Sequence, residues 1–148
     1  MWIISFLFLL VSVQPSVATG TDTNQLIVKT LQKETQYFCE RNLSKWKDQW
    51  SQKPFVAKKY IRGRKAEIYT GWKSIEQYTI EHIKQYPNPI PIPDTNFEYD
   101  IYVLGETAWV LYHKMEEGHK VLETRFMTKE GEKWKIARME TIYTEGQK

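Results

Sequence analysis

The sequence predicts an α+β fold in which amino-terminal helices cover one face of an antiparallel sheet. The stretch from Asn96 to Tyr143 is rich in aromatic and β-branched residues, and short turns that contain glycine divide it into four strands. Before this stretch, apolar residues recur at helical spacing, and the alternating prolines of Pro87–Pro93 then force an extended connector. Helices followed by a run of strands are typical of α+β domains.

The first predicted element is a long amphipathic helix. Asp22 and Gln25 resemble a capping box at its start, and apolar residues at helical spacing continue to Phe38. Glu34 lies near the edge of this apolar stripe. A stripe of this kind faces the core of a globular domain.

Three tryptophans follow the long helix. Trp46 and Trp50 are four residues apart on a short second helix and therefore share one face. Two short strands, Phe55–Ile61 and Ala66–Thr70, come next, and Trp72 lies on the inner side of a third helix. Indoles at such positions most often close a core, and lining a ligand pocket is the alternative interpretation.

The register of the main sheet follows from its turns. The four strands are predicted to cover Asn96–Leu104, Glu106–Glu116, His119–Lys129 and Lys133–Tyr143. If Glu117-Gly118 and Glu130-Gly131 are two-residue loops, Tyr112 pairs with Glu123, Val110 with Arg125, Arg125 with Ile136, and Glu123 with Arg138. One face then carries Val110, Tyr112, Glu123, Arg125, Met127, Trp134, Ile136 and Arg138, and the other carries Trp109, Leu111, Leu122, Phe126, Ala137 and Met139.

The first of these faces concentrates ionisable groups. If helices cover it, Glu123, Arg125, Arg138 and Tyr112 project into a partly dry cavity and must pair with one another. A purely structural network is one interpretation. The other is that an arginine donor stays free to bind a carboxylate or an enolate-like oxygen of a small ligand. Catalysis would further need a base whose pKa is raised by apolar surroundings, and the candidates are Glu123 first and Glu34 second.

Composition argues against several other classes of protein. The formal net charge of +3, with 21 basic and 18 acidic residues dispersed along the chain, does not indicate nucleic-acid binding. The densest basic patch, which begins at Lys58-Lys59, is expected to be a solvated hairpin. The three histidines are scattered, no motif for phosphate or metal binding is present, and Cys39 has no partner for an internal disulfide. We therefore predict neither a metal site nor a cofactor.

The amino terminus has the pattern of an export signal. An apolar run from Ile3 to Val13 is followed by the small-x-small sequence Ser16-Val17-Ala18. We therefore predict a secretory signal peptide at residues 1–18 and one domain at residues 19–148, secreted or periplasmic and free of the membrane after cleavage. An uncleaved anchor is the alternative, because no Lys or Arg precedes the apolar run.

Four stretches together resemble the SnoaL-like members of the nuclear transport factor 2-like superfamily, and also the association domain of calcium/calmodulin-dependent kinase II. They are Gly71-Trp72-Lys73-Ser74-Ile75, Gly105-Glu106-Thr107-Ala108-Trp109-Val110, Glu123-Thr124-Arg125 and Gly131-Glu132-Lys133-Trp134-Lys135-Ile136. The resemblance implies a cone-shaped, strongly curved antiparallel sheet wrapped around a long helix, of the cystatin-like kind, with a pocket inside. It also implies that Arg125 points into the pocket, and that the opposite sheet face, with Trp109, Leu111, Phe126 and Met139, forms a homodimer.

The resemblance is compatible with several functions, because the superfamily contains isomerases, cyclases, dehydratases and non-catalytic modules. This chain lacks a clear Asp–His or Tyr–Asp pair for the pocket floor. The first hypothesis is an exported domain that binds a small organic ligand, such as an organic anion. The predicted binding residues are Arg125, Glu123, Tyr112, Arg138, Trp46, Trp50 and Trp72. The alternatives are an enzyme that uses a pocket carboxylate as general base, and a structural dimerisation module.

Overall fold

A computed structural model describes residues 20–116 and 118–144 of the chain. The predicted signal peptide lies outside the described residues. The helices are α1 (Gly20–Cys39), α2 (Leu43–Lys47) and α3 (Trp72–Gln85). The strands are β1 (Ala57–Arg62), β2 (Lys65–Thr70), β3 (Asp100–Leu104), β4 (Thr107–Glu116), β5 (His119–Glu130) and β6 (Lys133–Tyr143).

The strands form one six-stranded sheet in the order β2-β1-β6-β5-β4-β3. Neighbouring strands are antiparallel except β1 and β6, which run parallel. The helices pack on one face, where Ile27 of α1 and Ile75 of α3 are fully buried against sheet residues such as Val110 and Ile136. The predicted α+β class is confirmed, and the long strands β4, β5 and β6 form the centre of the sheet.

The tight connection after α1 positions the first two tryptophans. Arg41 adopts a left-handed conformation with φ of 61°. The backbone N–H of Asn42 then donates to the carbonyl of Tyr37 at 2.8 Å, and the Asn42 side chain caps α2 by accepting from Lys45 N–H. The chain therefore turns back on itself, and α2 presents Trp46 to the side of α1.

The predicted register is confirmed in the first hairpin. Tyr112 pairs with Glu123 and Val110 pairs with Arg125. Because alternate residues of a strand share a face, all four side chains lie on the helix-covered side. They are buried there.

The predicted register of the second hairpin is wrong. Glu130 pairs with Lys133, so the loop is Gly131-Glu132 rather than Glu130-Gly131. A β-bulge then shifts the pairing between Met127, which opposes Ile136, and Phe126, which opposes Arg138. Ala137 is the extra residue, and a single inserted residue reverses which face the rest of the strand presents.

The bulge has consequences for three residues near the carboxyl end of β6. Met139 and Thr141 face inward, opposite Arg125 and Glu123 respectively, and both are buried. Arg138 faces outward, and 57% of its side chain is exposed. The predicted pairing of Arg138 with Glu123 is therefore wrong.

A neighbouring loop accompanies the bulge. Trp50 forms an isolated parallel bridge with Ile136, and the carbonyl of Ile136 accepts from Ser51 N–H at 2.9 Å while its own N–H donates to Gln49 at 2.9 Å. Pairing of β6 with β1 begins only at Arg138, so the backbone N–H and carbonyl of Ile136 are satisfied instead by the segment after α2.

Candidate functional site

A cavity of about 610 Å³ lies between α1, the inner face of the sheet and the proline-rich connector. The connector is fixed across the end of α1 by two hydrogen bonds, from Ile90 N–H to the carbonyl of Cys39 at 3.1 Å and from Arg41 Nε to the carbonyl of Asn88 at 3.2 Å. Ile90 is part of the cavity wall. A cavity of this size fits an organic molecule of modest size.

The apolar part of the wall is largely aromatic. It includes Phe38 of α1, Phe97 at the end of the connector, and Tyr112 and Met139 of the sheet. Phe97 and Tyr112 stack with their ring centroids 5.1 Å apart. Such surfaces pack well against the carbon skeleton of a ligand.

Glu123 is the centre of a buried polar network. It is fully buried, and its Oε1 lies 2.8 Å from Lys114 Nζ. Its Oε2 accepts from Arg125 Nη1 and, at 3.0 Å, from the hydroxyl of Thr141. Burial alone would raise the pKa of Glu123, but the positive charges of Arg125 and Lys114 hold it below the ordinary value. Glu123 is therefore ionised and lacks the raised pKa expected of a general base at this position.

Arg125 has donors left over. Nη1 donates to Glu123 and, at 3.3 Å, to the carbonyl of Thr124. Among the described residues, neither Nε nor Nη2 has a hydrogen-bond partner. Burial alone would lower the pKa of Arg125, but Glu123 raises it above its ordinary value, so the guanidinium stays charged. A buried cation on a cavity wall with unpaired donors is suited to binding an oxyanion.

Glu34 is held by two indoles. Its Oε1 accepts from Trp46 Nε1 at 2.8 Å and from Trp50 Nε1 at 3.3 Å. The carboxylate is on the cavity wall, and within the described part of the chain it has no ion-pair partner and nothing donates to Oε2. Of the two predicted candidate bases, only Glu34 therefore has an oxygen free to act on a ligand.

The three tryptophans predicted to bind ligand do not belong to the cavity wall. Trp46 and Trp50 are buried in the core, and Trp72 stacks on Trp46 with ring centroids 5.8 Å apart. Their placement is a correction to the prediction. They close the core, and the indole N–H groups of Trp46 and Trp50 orient the Glu34 carboxylate by donating to it.

Arg138 requires the same correction. Its Nε lies 3.1 Å from Glu140 Oε1 on the outer face of the sheet. The bulge in β6 turns it away from the cavity, so its predicted place beside Glu123 is occupied by Thr141.

Met139 was predicted on the outer, dimer-forming face and lies on the inner one. It is 8% exposed and lines the cavity between β1 and β5. Trp109 and Phe126, which pair with each other, lie on the outer face and remain half exposed, and Leu111 is partly buried.

Sequence reasoning missed Lys58. The sequence predicts a solvated hairpin for this lysine, but it is only 4% exposed and its side chain is on the cavity wall. The alternation of Val56, just before β1, with Lys58 and Tyr60 of β1 is visible in the sequence and predicts that these residues share one face. Because lysine is charged, this alternation alone did not indicate that its side chain faces inward.

Two other findings concern the described residues as a group. In the ranges 20–116 and 118–144, no three or more His, Cys, Asp or Glu side chains are placed to hold a metal ion. No helix in those ranges is long and apolar enough to cross a membrane.

No protein-family model matches the sequence, and no curated protein is significantly similar to it. Solved structures are similar in fold. An NTF2-like protein of unknown function from Pseudomonas putida KT2440 has a TM-score of 0.65 and 12% identity, over 88% of this chain and 95% of that one.

A second NTF2-like protein of unknown function, from Silicibacter pomeroyi DSS-3, has a TM-score of 0.65 at 7% identity and covers 86% of this chain and 100% of its own. A cystatin-like fold protein from Burkholderia xenovorans LB400 has a TM-score of 0.62 at 11% identity, over 84% of this chain and 93% of that one. At these identities the likeness shows the fold alone. The chain has the NTF2-like, cystatin-like fold that its sequence predicted.

Proposed function

We propose that this protein is an exported domain that binds a small organic anion in its cavity. The observation that carries this proposal is the buried guanidinium of Arg125, which lines the cavity and has Nε and Nη2 unpaired among the described residues. Because Arg125 is on the cavity wall, a ligand carboxylate could accept hydrogen bonds from these donors.

The pairing of the neighbouring groups supports an anion rather than a cation. Both oxygens of Glu123 already accept hydrogen bonds, from Arg125, Lys114 and Thr141. Glu123 therefore has little capacity left to attract a cationic ligand. The aromatic wall would hold the carbon skeleton while Arg125 fixes the charged end.

A matched pair of variants tests this proposal. Arg125→Met removes the guanidinium from the cavity, whereas Arg138→Met makes the same chemical change on the outer face. Binding of a panel of aromatic and aliphatic carboxylates would be measured by isothermal titration calorimetry, with the corresponding amides as neutral analogues.

We expect wild type and Arg138→Met to bind a carboxylate and not its amide. We expect Arg125→Met to lose roughly tenfold to a hundredfold in affinity, the worth of a charge-assisted hydrogen bond. Equal binding by Arg125→Met and Arg138→Met would overturn the proposal. Arg125→Lys distinguishes loss of charge from loss of fold, because it keeps a cation beside Glu123.

Catalysis is a second candidate function, and one observation favours it. Glu34 is a buried cavity carboxylate that is oriented by two indole N–H donors and has no ion-pair partner among the described residues. It suits the role of general base in an isomerase, cyclase or dehydratase better than Glu123 does. Mass spectrometry of what co-purifies with wild type and with Glu34→Gln would test it, since only a catalyst converts the bound molecule to a product in wild type alone.

Three further expectations remain predictions. They are cleavage of the signal peptide with export, a homodimer through the outer sheet face, and membership of the SnoaL-like group. The half-exposed rings of Trp109 and Phe126 support the dimer, because they adjoin each other in the middle of that face. Met139 lies on the inner face, so it is not part of the proposed dimer surface.

A further inference from the structure

Lys58 shares a row of the sheet with the proposed anion site. It pairs with Met139 of β6, which pairs in turn with Arg125 of β5. Because neighbouring strands are about 4.8 Å apart, the Cα atoms of Lys58 and Arg125 are separated by about 10 Å. Both side chains belong to the wall of the same cavity.

The Lys58 side chain is 4% exposed, and its amine has no counter-ion among the described residues. It forms no ion pair or hydrogen bond with the residues that the structure describes, whereas Lys114 pairs with both Glu116 and Glu123. Four aromatic rings surround Nζ instead. Their centroids lie 5.4 Å away for Tyr78, 5.5 Å for Tyr60, and 6.0 Å for both Phe38 and Trp46.

Rings at these distances are at the outer limit of useful cation–π contact, so they shield the ammonium from water without replacing a carboxylate. A purely structural lysine would be expected to reach a carboxylate or bulk solvent. An amine that has no ion-pair partner and is largely surrounded by aromatic rings is one arrangement in which lysine can act as a nucleophile.

We propose that Lys58 is a nucleophilic amine that forms an imine with an aldehyde or ketone group of a ligand whose carboxylate is bound by Arg125. Binding of the ligand's carboxylate by Arg125 rests on the proposed function, whereas the reactivity of the Lys58 amine does not. The ligand class is thus a carbonyl compound that carries an acid group at its other end.

The reaction balances without an oxidant or a reductant. The lone pair of neutral Nζ forms a bond to the carbonyl carbon, and the carbonyl π pair moves to oxygen, which takes up a proton while nitrogen gives one up. The resulting carbinolamine loses its hydroxyl as water after a second proton transfer, as the nitrogen lone pair forms the C=N bond. One amine and one carbonyl therefore yield one imine and one water.

The charges that face Lys58 are consistent with a neutral amine. Burial lowers the pKa of Lys58. Glu34 of α1, Tyr78 of α3 and Glu123 of β5 oppose this change, and Arg125 of β5 adds to it. The net lowering increases the fraction of neutral, nucleophilic amine at a given pH.

The wild-type chain contains its own control for an experiment. Lys59 is adjacent to Lys58 in sequence, but it points to the opposite face of β1 and is only partly buried. The folded protein would be treated with 4-carboxybenzaldehyde or with neutral benzaldehyde, in the presence of cyanoborohydride to reduce any imine. Fragmentation of the modified peptide then locates the label on one lysine or the other.

We expect 4-carboxybenzaldehyde to label Lys58 at least about tenfold faster than Lys59 near neutral pH, where an exposed lysine is almost wholly protonated. The preference should disappear in urea-unfolded protein. Labelling of Lys58 that is no faster than labelling of Lys59 in the folded chain overturns the proposal. Lys58→Met should remove the fast phase and leave the labelling of Lys59 unchanged.

The two aldehydes separate the two proposals. Faster labelling of Lys58 by the acid than by benzaldehyde, with this advantage lost in Arg125→Met, supports both the imine and the anion site. Equally fast labelling of Lys58 by both aldehydes supports the reactive amine and overturns the role of Arg125 in it. Carboxylate binding that depends on Arg125, together with an unreactive Lys58, overturns the imine and leaves the proposed function intact.

Discussion

Replacing Glu123 by glutamine removes the charge that two cations share. Glu123 is fully buried and contacts Arg125, Lys114 and Thr141. Removing one partner of a buried ion pair costs about 3–5 kcal/mol, because the other charge stays buried and unpaired. Lys114 retains Glu116 at 2.6 Å and is partly exposed, so most of the cost comes from Arg125. We therefore expect a loss near the lower end, about 3 kcal/mol.

Urea unfolding followed by tryptophan fluorescence measures this loss, with Glu140→Gln as the matched control. Glu140 pairs with the exposed Arg138 on the outer face, and pairs of that kind contribute less than about 1 kcal/mol. If Glu123→Gln destabilises the chain no more than Glu140→Gln does, the network around Glu123 is not a buried ion pair and the reasoning about the site is refuted.

The pH dependence of the unfolding free energy tests the Glu123 ion pair independently. The folded pKa of Glu123 is held below its ordinary value, so its contribution to stability is fully present above the unfolded pKa of about 4.3. That contribution is lost as the pH falls through the lower, folded pKa. The difference in unfolding free energy between wild type and Glu123→Gln should therefore be constant near neutrality and shrink under acid conditions. A difference that grows on acidification would contradict the sign of the shift.

Three other predictions concern different parts of the chain. Trp46→Phe should cost about 1–3 kcal/mol in the free energy of urea unfolding, because it removes an indole N–H that Glu34 accepts at 2.8 Å in a buried setting. Trp109→Lys combined with Phe126→Lys should convert a dimer to a monomer in light scattering coupled to gel filtration, and a monomeric wild type would contradict the dimer. In a secreting host, the mature protein should have a mass that corresponds to cleavage after Ala18, whereas a full-length, membrane-associated product would indicate an anchor.

The extent to which sequence predicted the fold differs between the two hairpins. The pairing of β4 with β5 followed from strand alternation and an acidic-Gly turn, and it is confirmed. At the next turn, Glu130-Gly131-Glu132 admits two loops that differ by one residue, and glycine fits the left-handed conformation in both. Local sequence therefore could not choose between them.

The bulge at Ala137 could not be predicted from the sequence of β6, for a different reason. Next to it, the backbone of Ile136 donates to the carbonyl of Gln49 and accepts from Ser51 N–H, about ninety residues earlier in the chain. A contact between segments so distant in sequence leaves no trace in the periodicity of β6. The sequence did contain the alternation that places Lys58 inside, but a lysine between two apolar neighbours was interpreted as solvated.

The bulge in β6 and the inward-facing Lys58 determine which groups line the cavity. Without the bulge, the pairing of Met127 with Ile136 would continue in register, so Arg138 would face inward opposite Arg125, Glu140 would face inward opposite Glu123, and Met139 and Thr141 would face outward. Arg125 would then adjoin a second arginine, and Glu123 would adjoin a second carboxylate in place of the hydroxyl of Thr141. The bulge instead places Met139 between Lys58 and Arg125, so that an apolar side chain separates the two basic side chains in the row. A charged guanidinium and a separate amine suit two different groups of one ligand. In the complex that we propose, Arg125 would bind the acid end of the ligand and Lys58 would react with its carbonyl group.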